Sequence, residues 1–293
     1  MVVELFPPLS IHEVGHRPNQ EDSLWPVNGS AEDRLFIVCD GMGGHEKGDV
    51  ASQTVIHAFG TWIQNNVNQL TKTQVREALD YAYEELDKAC GNSQKTAGTT
   101  LALVYIDEAG VTFAHMGDSR IYHIRPTEEF SNRLLYQSRD HSLVYDLLRS
   151  GEISYEEMAC HPQRNIITKA IIAGKDNHMQ PDIIQTNNIL PGDYFYICSD
   201  GMLERMGNSE LVKIISSSVS DEEKRQQLLS ATSHNDDNHT AWLIHVKQVV
   251  KETDEEDLDE EKTASCNALN MKNFRKPSCD IPDGDDDGIV IVE

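Results

Sequence analysis

The sequence predicts an α+β fold, and three observations carry that prediction. Short runs rich in Val, Ile, Tyr and Phe, bounded by turn residues, recur through the body of the chain. Two segments of helical period follow one another directly, with no strand between them. Strand and helix signals therefore do not alternate in the manner of βαβ units, and layered antiparallel sheets are the better solution.

Taken in order, the predicted strands are residues 35–39, 100–106, 111–116, 120–125, 193–198 and 239–246. Several alternate apolar with polar residues, as an antiparallel sheet with one buried face requires. Helices are predicted over 49–65, with Val50, Thr54, His57 and Ala58 at helical spacing, and over 73–90, with Val75, Leu79, Tyr83 and Leu86. Thr73 is the expected N-cap of the second helix and Gly91 its stop. Residues 143–150, closed by Gly151, and 222–231 are read as shorter helices.

The chain has 293 residues, 39% of them hydrophobic, enough for one large domain or two small ones with a real core. Its formal charge is −24. Such a surface repels nucleic-acid phosphates and anionic membranes and favours cations or basic partners. A metal nuclease is disfavoured for the same reason, since no basic stripe is present to track a backbone. The six cysteines form no CxxC pair, and Cys39 and Cys198 sit inside apolar runs as core thiols. No apolar run reaches the length of a membrane span, and MVVELFPPLS lacks the basic and apolar regions of a signal peptide. A cytoplasmic protein is expected.

Composition shifts near residue 250. The segment from Lys251 onward holds fourteen acidic and five basic residues, so it carries −9 and leaves −15 to the body. Residues 1–249 are expected to form the domain and 250–293 an acidic, solvated and disordered tail. Its end, DGDDDGIVIVE, reads either as such a tail or as a strand that adds to a partner's sheet edge.

The chemistry lies in carboxylates at strand ends. Asp40 follows FIVC and precedes Gly41; Asp118 sits in GDSR; Asp200 follows YFYICS and precedes Gly201; Asp237 stands in NDDNH before another strand. Glu21 and Asp22 close RPNQED, four and five residues after Arg17. Alone, each has a bland reading: Asp-Gly after a strand marks a turn, Asp236-Asp237-Asn238 a surface Asx turn, and Glu21-Asp22 solvated charge. Together they suit hard divalent cations, which take oxygen ligands, including backbone carbonyls that glycine exposes. Acids sharing one pocket need such cations between them.

These residues resemble the metal-dependent serine/threonine protein phosphatases of type 2C, in their bacterial form. The likeness runs from Arg17 to about Val246, through RPNQED, DGMGGHEKGDVAS, AGTTLALV, GDSRIY, DHSLV, HPQRNIITKAI, SDGM and DDNHT, in order. The resemblance implies a four-layer α-β-β-α sandwich with two central antiparallel sheets and a metal site at one end of the sheets. It implies Asp22, Asp40, the Gly41 carbonyl, Asp200 and Asp237 as ligands of two Mn2+ or Mg2+ ions, Asp40 bridging them, and Asp118 at a third, weaker site. Glu21 and Asn238 support the ligands, and Asp237 is preferred to Asp236 because Asn238 and Thr240 follow it in the family's pattern. Arg17 binds the substrate phosphate, a role for which the guanidinium fork is suited. Residues 140–179 include the flap beside the cleft, and 161–168 read as structural.

The implied reaction is hydrolysis of phosphoserine and phosphothreonine on proteins by metal-activated water, without a covalent phosphoenzyme. Phosphorylated proteins are the implied partners, a Ser/Thr kinase and its substrates among them; regulators of anti-sigma factors are an alternative substrate. Met42 stands where many eukaryotic members carry a histidine proposed as general acid, and Met42 has no proton to give. His45 nearby reads as an ordinary loop residue. The competing class is a pseudophosphatase that binds phosphoproteins without cleaving them.

Overall fold

The computed structural model describes residues 1–42, 47–91, 97–174 and 178–250. His45 and the acidic tail, singled out above, lie outside them. The elements in chain order are β1 (Val2–Leu5), β2 (Leu9–Glu13), β3 (Asp22–Trp25), β4 (Leu35–Met42), α1 (Gly48–Asn66), α2 (Lys72–Cys90), β5 (Gly98–Thr99), β6 (Leu101–Asp107), β7 (Gly110–Met116), β8 (Arg120–Ile124) and β9 (Leu134–Gln137). They continue as α3 (Leu143–Ser150), α4 (Tyr155–Cys160), β10 (Ile171–Ile172), β11 (Asp182–Thr186), β12 (Tyr194–Cys198), α5 (Asn208–Ile215), α6 (Asp221–Thr232) and β13 (His239–Val250).

Two antiparallel sheets form. One runs β1-β13-β12-β8-β9, with β2 also on β13; the other runs β10-β5-β4-β6-β7-β11, with β3 also on β4. The apolar residues sort into three layers. Phe36, Val38, Val104 and Phe113 of one sheet meet Ile121, Phe195, Ile197 and Trp242 of the other. Ile37, Cys39 and Leu103 face the opposite way, under Val55, Phe59, Val75 and Leu79 of α1 and α2. Tyr196, Cys198 and Leu243 pack under Leu211, Ile215 and Leu228 of α5 and α6. The result is the α-β-β-α sandwich.

This layering corrects the expectation of one solvated sheet face. The central strands are covered on both faces, so FIVC and YFYIC are continuous apolar runs whose alternation selects between two cores. The face of α1 is corrected as well. Val50 and His57 lie on the exposed side, and the buried stripe is Ala51, Val55, Ile56, Ala58, Phe59 and Ile63. The predicted face of α2 is the buried one, from Val75 to Leu86. Its N-cap, however, is Thr71 and not Thr73: Thr71 accepts from the Gln74 N–H while the Gln74 side chain takes the Thr71 N–H, a capping box. Gly91 ends this helix as expected, its N–H bonded to the Asp87 carbonyl. Among the described residues, no helix is long and apolar enough to cross a membrane.

Candidate metal and phosphate site

Strand β4 extends three residues past its predicted end, so Asp40 belongs to a strand and not to a turn. The β3–β4 register makes Asp22 and Asp40 direct cross-strand partners. The Asp40 main chain is pinned on its other side: its N–H donates to Thr100 Oγ1 at 2.8 Å, and its carbonyl accepts from Thr99 Oγ1 at 2.8 Å and the Thr100 N–H at 2.9 Å. Gly41 follows because nothing larger fits. A Cβ there would overlap the Gly48 carbonyl and stand 2.6 Å from the Glu21 carbonyl oxygen.

The remaining acids arrive from three other strand ends. Asp118 follows β7 on a turn whose Gly117 has φ +102°, a conformation that favours glycine. Asp200 opens a short 3-10 turn directly after β12. Asp237 precedes β13, in a turn held by the Glu204 carboxylate, which accepts the N–H groups of Asp236 at 2.8 Å and Asp237 at 3.3 Å. Arg17 Nη2 donates to Asp237 Oδ2 at 2.7 Å. Asp236 points elsewhere, pairing with His16 at 3.0 Å.

Asn238 staples the Arg17–Asp22 loop to this turn. Its Oδ1 accepts the Glu21 N–H at 2.8 Å, and its Nδ2 donates to the carbonyls of Val14 and Asn19. Ser199, which sequence reasoning missed, donates its hydroxyl to Asp22 Oδ2 at 2.7 Å and accepts the Thr240 N–H at 3.0 Å. Asp140 was also missed, although DHSLV contained it. Arg120 grips both its oxygens at 2.7 Å, and its charge reaches Asp118 and Asp200.

The electrostatics show these acids to be neighbours. Burial pushes the Asp22 carboxyl up to about 7; hydrogen bonds from Ser199 and Thr240 oppose the rise, and the charges of Asp200 and Asp237 add to it. Burial, then Asp22, Asp200 and Asp118, hold Asp40 well above the usual carboxylate range. Asp118 is pushed up to about 8 by burial and then by Asp200 and Asp140. Asp200 is raised by burial and then by Asp237, and it shares a hydrogen bond with Asp40. Glu21, at the margin, is raised by burial and then by Asp49. Burial opposes the Arg17 charge, but Asp237, Glu21 and Asp200 outweigh it and raise its pKa.

The donor set fits hard divalent cations. The converging groups are oxygens, their mutual repulsion is the kind a cation relieves, and Asp118 Oδ1 is buried with no hydrogen-bond partner among the described residues. Asp22 is the buried floor, whereas Asp40, Asp118, Asp200 and Asp237 are partly open to solvent, leaving access for a substrate. A separate groove between α1 and α2, lined by His57, Tyr81, Glu85 and Lys88, holds no such grouping.

An α-β-β-α sandwich with carboxylates gathered at its strand ends is the frame of a metal-dependent phosphatase. The family Protein phosphatase 2C matches residues 11–243, and the chain belongs to it. A putative protein phosphatase 2C-type of Streptococcus pyogenes is 34% identical over 237 residues, covering 78% of this chain and 92% of its own. Protein phosphatase PhpP of Streptococcus pneumoniae is 33% identical, with 79% and 94% covered. Among solved structures, the serine/threonine phosphatase of S. agalactiae superposes with a TM-score of 0.67 at 30% identity, covering 82% of this chain and 99% of that one. The chain is thus a protein-serine/threonine phosphatase of a metal-dependent family.

Proposed function

We propose that Asp22, Asp40, Asp200 and Asp237, with the Gly41 carbonyl, hold two divalent ions, Mn2+ or Mg2+, with a weaker third ion at Asp118, and that the site hydrolyses phosphoserine and phosphothreonine on proteins. The observation that supports this most is the meeting of carboxylates from four separate strand ends with Arg17 beside them. When bound, the ions supply Lewis-acid activation of water and neutralise charge. Arg17 is half-exposed beside Asp237, so its remaining N–H donors are open to phosphate oxygens and to the charge that grows on them in the transition state. Ser199 fixes the Asp22 carboxylate, and Asn238 fixes the loop that carries Arg17 and Glu21.

Water forms the new P–O bond as the bond to the seryl or threonyl oxygen breaks. Met42 has no proton to give that oxygen, so the proton it takes comes from bound water or from another residue. The acids and Arg17 are all present at the site, and the pseudophosphatase alternative gains nothing from it.

The described cysteines Cys39, Cys90, Cys160 and Cys198 are free thiols, which suits the cytoplasm, where a Ser/Thr kinase and its substrates would be the partners. The region 140–179, which would include the flap, would select among them. Strand β13 runs to Val250, so a chain ending there should retain turnover of a small phosphopeptide. The central test is turnover of a phosphothreonine peptide with Mn2+ by the wild type and by Asp200→Asn. The expected result is Mn2+-dependent turnover, lowered about 10²–10³-fold by the substitution. Mn2+ binding without any turnover by the wild type would defeat the proposal.

A further inference from the structure

His141 stands at the root of the flap, and three parts of the fold meet on it. The first is the turn that carries Asp118. The Gly117 N–H donates to His141 Nδ1 at 3.1 Å, and the His141 N–H donates to the Gly117 carbonyl at 2.9 Å. The second is the returning segment at residues 166–168. The Thr168 N–H donates to the His141 carbonyl at 2.8 Å, the Leu143 N–H to the Ile166 carbonyl at 2.9 Å, and Ser142 and Ile167 form an antiparallel bridge. The third is β11, where Asp182 Oδ2 lies 3.4 Å from His141 Nε2 and Asp182 Oδ1 takes the Lys169 ammonium at 2.7 Å.

His115 completes the cluster. Its ring stacks on that of His141 at 4.7 Å and 13°, and its Nε2 lies 2.8 Å from the Arg139 carbonyl. Ligand atoms of His115, His141 and Asp182 lie within 4.8 Å of one another, close enough to suggest a transition-metal site. The hydrogen bonds argue otherwise. A backbone N–H can only donate, so His141 Nδ1 keeps its lone pair and the neutral ring carries its proton on Nε2, the nitrogen facing Asp182. A metal at Nε2 would require an imidazolate, and Lys169 already neutralises Asp182. The cluster is a hydrogen-bonded clasp.

The clasp has a consequence at the site. Among the described residues Asp118 Oδ1 has no hydrogen-bond partner, so the aim of this oxygen depends on its backbone turn. That turn is fixed on one side by Thr100, against which a Cβ on Gly117 would stand 2.5 Å from Cγ2. On the other it is fixed by two hydrogen bonds shared with His141, one accepted by its ring and one donated by its main chain. We propose that His141 is a positioning residue for Asp118: it sets the turn that aims this carboxylate and, through Asp182 and Lys169, ties the turn to the root of the flap. The proposal rests on reading Asp118 as an ion ligand.

The test is a Mn2+ binding isotherm on the full chain, read by electron paramagnetic resonance of free Mn2+, alongside phosphopeptide kinetics. His141→Ala should weaken the weakest Mn2+ site about 10–100-fold, the range for residues that orient ligands, and leave the tighter ions bound. It should lower kcat more than it changes KM. His141→Asn, whose side-chain oxygen can replace Nδ1 as acceptor for Gly117, should restore most of the loss. Asp182→Asn should shift the same site less. His141→Ala combined with Asp118→Asn should cost no more than Asp118→Asn alone. An unchanged isotherm in a His141→Ala protein of native circular dichroism overturns the proposal, as does equal weakening of every ion. If His141→Ala does not fold, the Asn and Asp182 variants decide by the same criteria. Stoichiometric Zn2+ binding abolished by His115→Ala would replace the clasp with a metal site and also overturn it. A wild type that binds no Mn2+ would instead remove the reading of the acidic site on which the proposal stands.

Discussion

At the scale of single residues, Gly41 sets the sharpest requirement in the pocket. It follows Asp40, whose main chain is held by Asp22 of β3 on one side and by Thr99 and Thr100 on the other, and its missing side chain lets the Gly48 and Glu21 carbonyls approach. Gly41→Ala should therefore cost about 1–3 kcal/mol in a urea titration, as overpacking does. Because the backbone must shift beside Asp40, it should weaken Mn2+ binding at the same time. Native Mn2+ affinity in that variant would show that the close approach does not govern the ligand. The acids themselves were legible in sequence because each stands at a strand end, three of them beside glycine. Ser199, Asp140 and Glu204 were not, because their value lies in what they touch. A serine in YFYICSDG gives no sign that its hydroxyl will reach a carboxylate 177 positions away.

At the scale of elements, local signals were legible to the extent that a single residue decides them. Gly91 could be read as a helix stop from the sequence. The N-cap could not be separated from its neighbour, since TKT offers two threonines, Thr71 and Thr73, and only Thr71 has Gln74 three residues on to complete the capping box. Thr71→Ala should lower stability by about 1 kcal/mol, seen as a fall in Tm, and Thr73→Ala should change it little. The reverse order would contradict the cap assignment. The face of α1 was misread for a different reason. Apolar residues are spread around much of this helix, so the Val50 register and the Val55 register both satisfy a helical period. Burial against Ile37 and Cys39 of β4 decides between them, and that is a tertiary choice. Sheet order was hidden likewise, because β13 finds β1 and β2 at the other end of the chain.

At the scale of the whole molecule, two sets of buried groups pull stability in opposite directions as pH changes. Burial pushes His115 down to about 4, with His141 adding to the fall. A base depressed by folding binds protons less tightly in the folded chain. It therefore costs stability as pH drops below its unfolded value of about 6.5 and towards its folded one. The site acids do the opposite. Asp22 is raised to about 7 and Asp118 to about 8, from ordinary values near 4. The folded chain holds more protons than the unfolded one across that window, so stability falls as pH rises through it and levels off above about 8. The two acids outweigh the one histidine where their ranges overlap, so the net trend there is theirs. In EDTA the urea midpoint should therefore fall as pH rises from about 5 to about 8, most steeply just above about pH 6.5, where His115 no longer opposes the acids. Mn2+ takes the place of the missing protons among the acids and binds only the folded arrangement. Added Mn2+ should therefore oppose the decline, by more at pH 8.5 than at pH 6.5. Asp22→Asn removes one of the crowded charges, so it should flatten the alkaline decline in EDTA and weaken the stabilisation by Mn2+. Equal stability in EDTA at pH 6.5 and 8.5 would mean that these carboxylates do not crowd one another in solution, and the case for ions between them would go with it.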